Sequence, residues 1–301
     1  MFFNLYSDLI PDFPLFLETL GRPMPTHVRV NRIKSDPGWV TERFADRGIR
    51  AEKAVQGEEG LLLLPGVQNP GKLPEYAWGQ IHAQALTSCL ASLALRPEKE
   101  SFVLDLCSAP GGKTAHLAEM MGNSGLVVAN ELYSGRRIPL GHTLARLGVL
   151  NAVITGYQAQ EFPLRHGFDR VLADVPCSGE GRFRARSESS WYEVKDTRKL
   201  LQKLQMRIIL RAFDLLKPGG QMIYSTCTYD PGENESVVQF LIENREAELF
   251  PVEVQGAEPG VRSWKGEVYD RRMERAVRLY PHRIDSVGFF LARIGRRGSA
   301  G

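Results

Sequence analysis

The chain has 301 residues, 43% of them hydrophobic and 24% charged, and carries a formal net charge of only +3. That length allows one large domain plus a small one, with ample material for a core, and the composition is that of a globular protein. The longest strongly apolar runs, such as Leu61–Leu64, are too short to span a bilayer, and the opening Met1-Phe2-Phe3-Asn4-Leu5-Tyr6 lacks the basic region of a secretory signal. A cytoplasmic protein without a membrane partner is expected.

Along the chain, residues 1–71 read as a small α+β unit. Helical spacing runs over 12–20, and 26–33 alternates as a strand. Proline and glycine punctuate 65–74, the expected linker, and 80–95 reads as a helix ended by Pro97. From residue 102 the rhythm becomes strand, turn, helix. Strands are predicted over 102–106, 126–130, 152–155, 168–174, 221–225 and 288–294, with helices over 113–121, 135–147, 197–216 and 233–244. This alternation predicts an α/β fold with a doubly wound sheet over residues 72–296, followed by a short tail, 297–301.

Cys89, Cys107, Cys177 and Cys227 are widely spread without a C-x-x-C pair, so free thiols and no metal site are expected. The modest net charge hides a local bias. Residues 182–211 hold nine Lys/Arg against three Asp/Glu, and residues 262–297 hold ten against four. Clusters of this kind suit contacts to phosphates. Solvated helix faces would give the same counts.

After the strand at 102–106 comes a glycine-rich turn, Asp105-Leu106-Cys107-Ser108-Ala109-Pro110-Gly111-Gly112-Lys113-Thr114. A phosphate-binding P-loop would need glycine where Cys107 stands, and the G-x-G-x-x-G dinucleotide fingerprint is absent. What remains is a tight turn whose Gly111 and Gly112 let backbone approach a ligand, ahead of a helix N-terminus with free amides. Glu131 follows the next strand and is placed to accept hydrogen bonds from ribose hydroxyls. A ribose with no required pyrophosphate fits S-adenosylmethionine.

Two further turns carry thiols. Asp174-Val175-Pro176-Cys177 and Ser225-Thr226-Cys227-Thr228 each follow an apolar strand-like run. In an open α/β sheet that puts both cysteines at carboxyl strand ends, where ligands bind. Pyrimidine C5 is a poor nucleophile until a thiolate adds to C6. The chemistry then needs a nucleophile, a group on the base edge and a base for release. Cys227 and Cys177 can supply two of these roles and Asp174 the third. Arg182, Arg184 and Arg186, close in sequence, could lower a thiol pKa. Single cysteines at strand ends are more often inert core residues, and only the pair with Asp174 argues otherwise.

These turns, together with Asp174-Val175-Pro176-Cys177-Ser178-Gly179-Glu180-Gly181, Pro231-Gly232-Glu233-Asn234-Glu235, Arg278-Leu279-Tyr280-Pro281-His282 and Arg29-Val30-Asn31-Arg32-Ile33-Lys34, resemble the signature motifs of the NOP/Sun family of RNA cytosine-5 methyltransferases. The likeness runs over roughly residues 25–294. It implies a Rossmann-like methyltransferase sheet preceded by a small RNA-contacting N-terminal domain, with S-adenosylmethionine as cofactor and RNA as partner. By the same resemblance Cys227 attacks C6, Cys177 assists product release, and Asp174 contacts the cytosine edge or the cofactor. Cys107, Ser108, Ala109, Pro110, Gly111, Gly112, Lys113 and Glu131 would hold S-adenosylmethionine.

The chain departs from the family pattern in three places. Tyr157-Gln158 stands where many members have an Asp near the adenine, so Gln158 takes that place in the expected cofactor site. Gln84-Ala85 replaces a Gln-Glu pair. The motif variants are most like the bacterial, RsmF-like branch acting on small-subunit (16S) ribosomal RNA, whose further C-terminal RNA-binding domain is not expected here. Ribosomal RNA is therefore the first expected substrate, transfer RNA the second. A catalytically silent RNA-binding assembly factor is the rival from another class, and no obligate protein partner is evident.

Overall fold

A computed structural model describes residues 2–184 and 197–298. Its packing divides the chain into two compact units. Residues 2–24, which carry helix α1 (Phe13–Leu20), group with residues from 159 onward, and residues 25–158 form the other unit.

The 25–158 unit begins with a small antiparallel sheet of β1 (His27–Val30), β2 (Glu52–Lys53), β3 (Leu61–Leu63) and β4 (Ile81–Ala83), in the order β2-β3-β1-β4. Helix α2 (Pro37–Asp46) starts where Asp36 accepts from the amides of Gly38 and Trp39 and Pro37 fills the first turn. Val40 and Phe44 on α2 close a core with Val28, Val30, Leu62, Leu64 and Ile81. Residues 65–74 lie inside this unit and lead into the short helix α3 (Pro74–Ala77), whose buried Glu75 pairs with Arg47 at 2.7 Å.

The predicted helix over 80–95 is two elements. Ile81–Ala83 is strand β4, paired with β1, and helix α4 spans Leu86–Leu95. Ile81 is fully buried in the sheet core, and cross-strand bonds consume the amides of Asn31 and Gln84, bonds a helix could not make.

Next come three parallel strands in spatial order, β5 (Phe102–Asp105), β6 (Leu126–Asn130) and β7 (Ala152–Thr155). Helices α5 (Gly112–Met120) and α6 (Ser134–Leu147) connect them. Ala115, Ala129, Leu140, Leu144 and Leu147 form the core between helix and strand.

The other unit holds β8 (Phe168–Asp174), helix α7 (Arg198–Asp214), β9 (Leu216–Thr226) and helix α8 (Glu235–Asn244). Then follow β10 (Ala247–Phe250), β11 (Glu258–Pro259), the β12 (Ser263–Trp264)/β13 (Glu267–Val268) hairpin, β14 (Val277–Leu279), helix α9 (Pro281–Ile284) and β15 (Phe289–Arg296). Strand order is β11-β14-β15-β9-β8, with β10 also paired to β15. β8 and β9 are parallel, whereas β15 runs antiparallel to β9. Phe3, Tyr6, Phe16, Tyr229 and Tyr280 form an aromatic core cluster, with the Phe16 and Tyr229 rings edge to face at 5.3 Å. Among the described residues no helix is long and apolar enough to cross a membrane.

Candidate active site

In the 159–298 unit, parallel pairing sets Asp174 at the end of β8 opposite Ser225 in β9. Each strand then ends in a turn. The turn after β8 carries Cys177 and the turn after β9 carries Cys227, with their sulfurs 3.4 Å apart. Neither thiol is in a disulfide, and both residues are partly exposed.

Backbone bonds pin the two turns to one another. The Val175 amide donates to the Ser225 carbonyl at 3.1 Å, and the Gly181 amide to the Cys227 carbonyl at 2.8 Å. Ser178 Oγ donates to Thr228 Oγ1 at 2.7 Å. Gly181 has no room for a side chain, since a Cβ would lie 2.1 Å from the Gly288 carbonyl oxygen. Ser225 Oγ donates to Asp174 Oδ1 at 2.7 Å and so orients that carboxylate.

The Cys177 thiol is pushed well above its ordinary range by its hydrogen bond with Cys227, then by burial, then by the negative charge of Cys227 and Glu233. It keeps its proton while Cys227 is beside it. Arg182, Arg184 and Arg186 were expected to help ionise a thiol. Arg184 instead is buried, donating to the Thr19 carbonyl and to Asp285, and Arg186 lies outside the described residues.

Three buried residues support the turns: Glu233 and Asn234, quoted above within a motif but given no role, and Gln205, which carried no motif. Glu233 Oε2 accepts from the Ser178 amide at 3.0 Å and from Gln205 Nε2 at 2.8 Å, and Gln205 Nε2 also donates to the Pro176 carbonyl at 2.8 Å. Asn234 Nδ2 donates to the Thr228 carbonyl at 3.1 Å while its Oδ1 accepts from Thr226 Oγ1. The usable signal for Gln205 was a polar residue on the face of α7 that buries Ile208, Ile209, Ala212 and Phe213.

The expected cofactor residues other than Asp174 lie in the 25–158 unit. The turn after β5 closes through a Gly111 amide to Ser108 carbonyl bond of 2.8 Å, with a cis Ala109–Pro110 peptide. Gly111 has φ of 103°, a backbone conformation that side chains resist. Leu140 and Thr143 of α6 pack where its Cβ would stand. Thr114 Oγ1 donates to Asp105 Oδ2 at 2.7 Å, tying α5 back to β5. Asn130 acts as a strut, donating to the carbonyls of Leu106 and Tyr157 and accepting from Thr155 Oγ1 and the Tyr157 amide.

Glu131 is buried at the end of β6. Its Oε1 accepts from the Tyr133 amide at 3.0 Å, and its Oε2 pairs with Arg136 at 3.2 Å. Arg136 is half exposed and also reaches the Ala109 carbonyl. Gln158 is exposed. A fixed carboxylate at a strand end, beside a glycine turn opening onto a helix N-terminus, is a donor set that fits a ribose and an amino-acid carboxylate.

The Arg29–Lys34 motif is turned inward. Arg29 is buried and ion-paired with Glu119. Asn31 Nδ2 donates to the carbonyls of Gly79 and Leu147 at 2.7 and 2.8 Å, and Lys34 Nζ to that of Arg146 at 2.8 Å. Asn31 and Lys34 therefore cap the C-terminus of α6. Much of the basic stretch 262–297 is likewise engaged internally. Arg262 pairs with Glu274, Arg272 with Asp270, and buried Arg278 with Glu235.

Residues 92–295 match the family model described as 16S rRNA methyltransferase RsmB/F. The chain belongs to the NOP/Sun family. Its members are S-adenosylmethionine-dependent RNA cytosine-5 methyltransferases, with an α/β fold that joins a mixed Rossmann-like sheet to a small antiparallel N-terminal sheet. The chain is 35% identical to the tRNA (cytosine(49)-C(5))-methyltransferase of Pyrococcus abyssi, over 96% of this chain and 93% of that protein. It is also 35% identical to the 26S rRNA (cytosine-C(5))-methyltransferase nsun-1 of Caenorhabditis elegans, over 98% of this chain but only 46% of that protein, so it spans less than half of that relative's length. A crystal structure of a methyltransferase homologue from Pyrococcus horikoshii, 32% identical, superposes with a TM-score of 0.86 over 98% of this chain and 94% of the other.

Proposed function

We propose that this chain methylates C5 of cytosine in RNA, using S-adenosylmethionine, with Cys227 as nucleophile. The observation that carries the reading is the pair of sulfurs 3.4 Å apart at two strand ends, with Asp174 three residues before one of them.

The Cys227 thiolate adds to C6 of a cytosine whose edge Asp174 holds, so that electron density builds at C5. When bound, S-adenosylmethionine would be held by Cys107–Lys113, Glu131 and Gln158 and would supply an electrophilic methyl group. After methyl transfer C5 still carries its proton. Cys177 takes that proton, and the electron pair left behind expels the Cys227 thiolate and restores the ring. The timing follows from the pair itself. Cys227 is one cause of the raised Cys177 thiol, beside burial and Glu233; once the Cys227 sulfur is bonded to carbon its charge is gone, and Cys177, having given its own proton to solvent, acts as the base. The target cytosine must be unpaired or flipped out of a duplex.

Small-subunit ribosomal RNA remains the first substrate reading, supported by the family model over residues 92–295. Transfer RNA is the second, supported by the match along 93% of the Pyrococcus abyssi enzyme. Lys199, Lys203 and Arg207 are exposed at i, i+4 and i+8 on one face of α7 and are the phosphate contacts we favour within the basic stretch 182–211.

The test is to express Cys177→Ala in cells, denature the lysate and sequence the RNA that stays attached. Attached RNA that disappears in the Cys177→Ala/Cys227→Ala double variant identifies both the nucleophile and the substrate. Equal attachment in the double variant would sink the assignment of Cys227. If no variant carries RNA and the protein does not bind S-adenosylmethionine in calorimetry, the silent RNA-binding factor is the better reading.

A further inference from the structure

We propose that Glu233 and Gln205 are positioning residues that hold the Pro176-Cys177-Ser178 turn in the geometry needed to release the methylated product. The inference rests on the reading of Cys177 as the release residue.

Cys177 sits between two backbone groups that are both taken by this pair. The carbonyl before it, on Pro176, accepts from Gln205 Nε2 at 2.8 Å, and the amide after it, on Ser178, donates to Glu233 Oε2 at 3.0 Å. The two side chains are joined by the 2.8 Å bond from Gln205 Nε2 to Glu233 Oε2. The result is a closed loop of hydrogen bonds around one residue, built from helix α7 on one side and the Pro231–Glu235 turn on the other.

Neither side chain has another evident duty. Gln205 is fully buried and Glu233 is 1% exposed. The remaining side-chain oxygens, Glu233 Oε1 and Gln205 Oε1, are buried without a hydrogen-bond donor among the described residues. Burying a carboxylate and an amide while leaving one oxygen of each unserved is costly. Glu233 is tied to the sheet as well: the Tyr224 hydroxyl in β9 donates to its carbonyl at 2.6 Å, three residues before Cys227. One residue thus meets the Cys177 turn through its side chain and the strand that presents Cys227 through its backbone carbonyl.

The clamp acts on the release step because it holds Cys177 and leaves Cys227 on its own strand. Loss of the clamp should therefore leave attack on C6 in place and slow breakdown of the adduct. The experiment follows the covalent RNA adduct formed with cofactor present by the wild type, Glu233→Ala, Gln205→Ala and Glu233→Gln, with Cys177→Ala as reference. Adduct lifetime in the two alanine variants should lengthen on the order of 10- to 100-fold, as expected when a reacting group is misplaced by about an ångström. Glu233→Gln keeps an oxygen that can accept from Ser178 and should restore most of the rate.

Deuterium exchange at the Ser178 amide supplies a readout that needs no RNA. It should rise in Glu233→Ala and stay near wild type in Glu233→Gln. Wild-type adduct lifetime in Glu233→Ala, or failure of Glu233→Gln to rescue, would overturn the clamp. Absence of adduct in every variant, Cys177→Ala included, would instead overturn the reading of the two thiols. The exchange result then still decides whether Glu233 holds the turn.

Discussion

The backbone amide of Cys227 donates to the sulfur of Cys177 over 3.3 Å. One cysteine's main chain therefore helps to orient the other's side chain. Replacing Cys227 with serine or alanine keeps this amide in place, which is why such variants isolate the loss of the nucleophile from disorder of the turn.

Binding of S-adenosylmethionine should depend on Glu131 and Gly111. Removing a charged hydrogen-bond acceptor costs about 1.5–3 kcal/mol, so Glu131→Ala should weaken affinity on the order of 10- to 100-fold in titration calorimetry. Gly111→Ala strains a residue at φ of 103° and presses on Leu140 3.0 Å away. It should weaken the cofactor too, while leaving alkylation of Cys177 and Cys227 unchanged. Full affinity in both variants would move the cofactor site away from this turn.

The basic face of α7 gives a salt test. Lys199→Glu/Lys203→Glu should weaken RNA binding and flatten the plot of log affinity against log salt by roughly two charges' worth, about 1.5 in slope. Cofactor affinity should not change. An unaltered salt slope would remove this face from the RNA surface.

A buried pair should dominate stability in the same unit. Arg278 Nε donates to Glu235 Oε1 at 2.7 Å, and the two side chains are 2% and 0% exposed. Removing one partner strands a charge, so Arg278→Ala should cost about 3–5 kcal/mol in urea unfolding. Arg278→Met/Glu235→Leu should recover a large part of that loss, because no charge remains. A double variant as unstable as the single one would count against the argument.

Stability should also vary with pH through Glu180. Burial pushes this carboxyl up to about 7 from an ordinary 4.5, against the opposing pull of Arg198 and the Tyr6 hydroxyl. The folded state thus holds a proton that the unfolded state has already lost between those values. Its contribution is complete below pH 4.5 and disappears as pH rises through 7. Glu233 is raised by burial as well and acts in the same sense. From pH 5 to pH 8 the wild type should lose up to about 3 kcal/mol relative to Glu180→Gln. Parallel pH profiles for the two proteins would contradict this.

Much of the fold could be read from local pattern. Phe168–Asp174 and Leu126–Asn130 are apolar runs bounded by turns, and the structure gives them the predicted bounds. Helix α6 keeps its predicted extent despite Pro139, near its N-terminus. Elements made by distant pairing were harder to see. Val277–Leu279 is only three residues long and becomes a strand through Phe289–Leu291, and Ile81–Ala83 through β1. Strand β9 begins at Leu216 and so includes Lys217-Pro218-Gly219-Gly220, the run between the helix expected over 197–216 and the strand expected over 221–225, with a register shift between Phe168 and Arg170 in its partner β8.

The chemistry was legible where reactive residue types sit in short motifs, as at Asp174, Cys177 and Cys227. The support was not. Glu233 lies in a recognised motif, but nothing local says that its carboxylate meets an amide 55 positions away in the chain. Gln205 carries no motif at all. The basic counts over 262–297 were the least informative feature, since sequence charge does not reveal that Arg278 is buried or that Arg272 is bound to Asp270.

The grouping of residues 2–24 with the later part of the chain has a consequence for synthesis. Phe3, Tyr6 and Phe16 leave the ribosome early, yet their partners Tyr229 and Tyr280 come more than two hundred residues later. At about 5–20 residues per second the wait for Tyr280 lasts roughly 13–53 s. The contiguous 25–158 unit is complete well before that. The aromatic segment therefore waits for those partners throughout the synthesis of the chain between them.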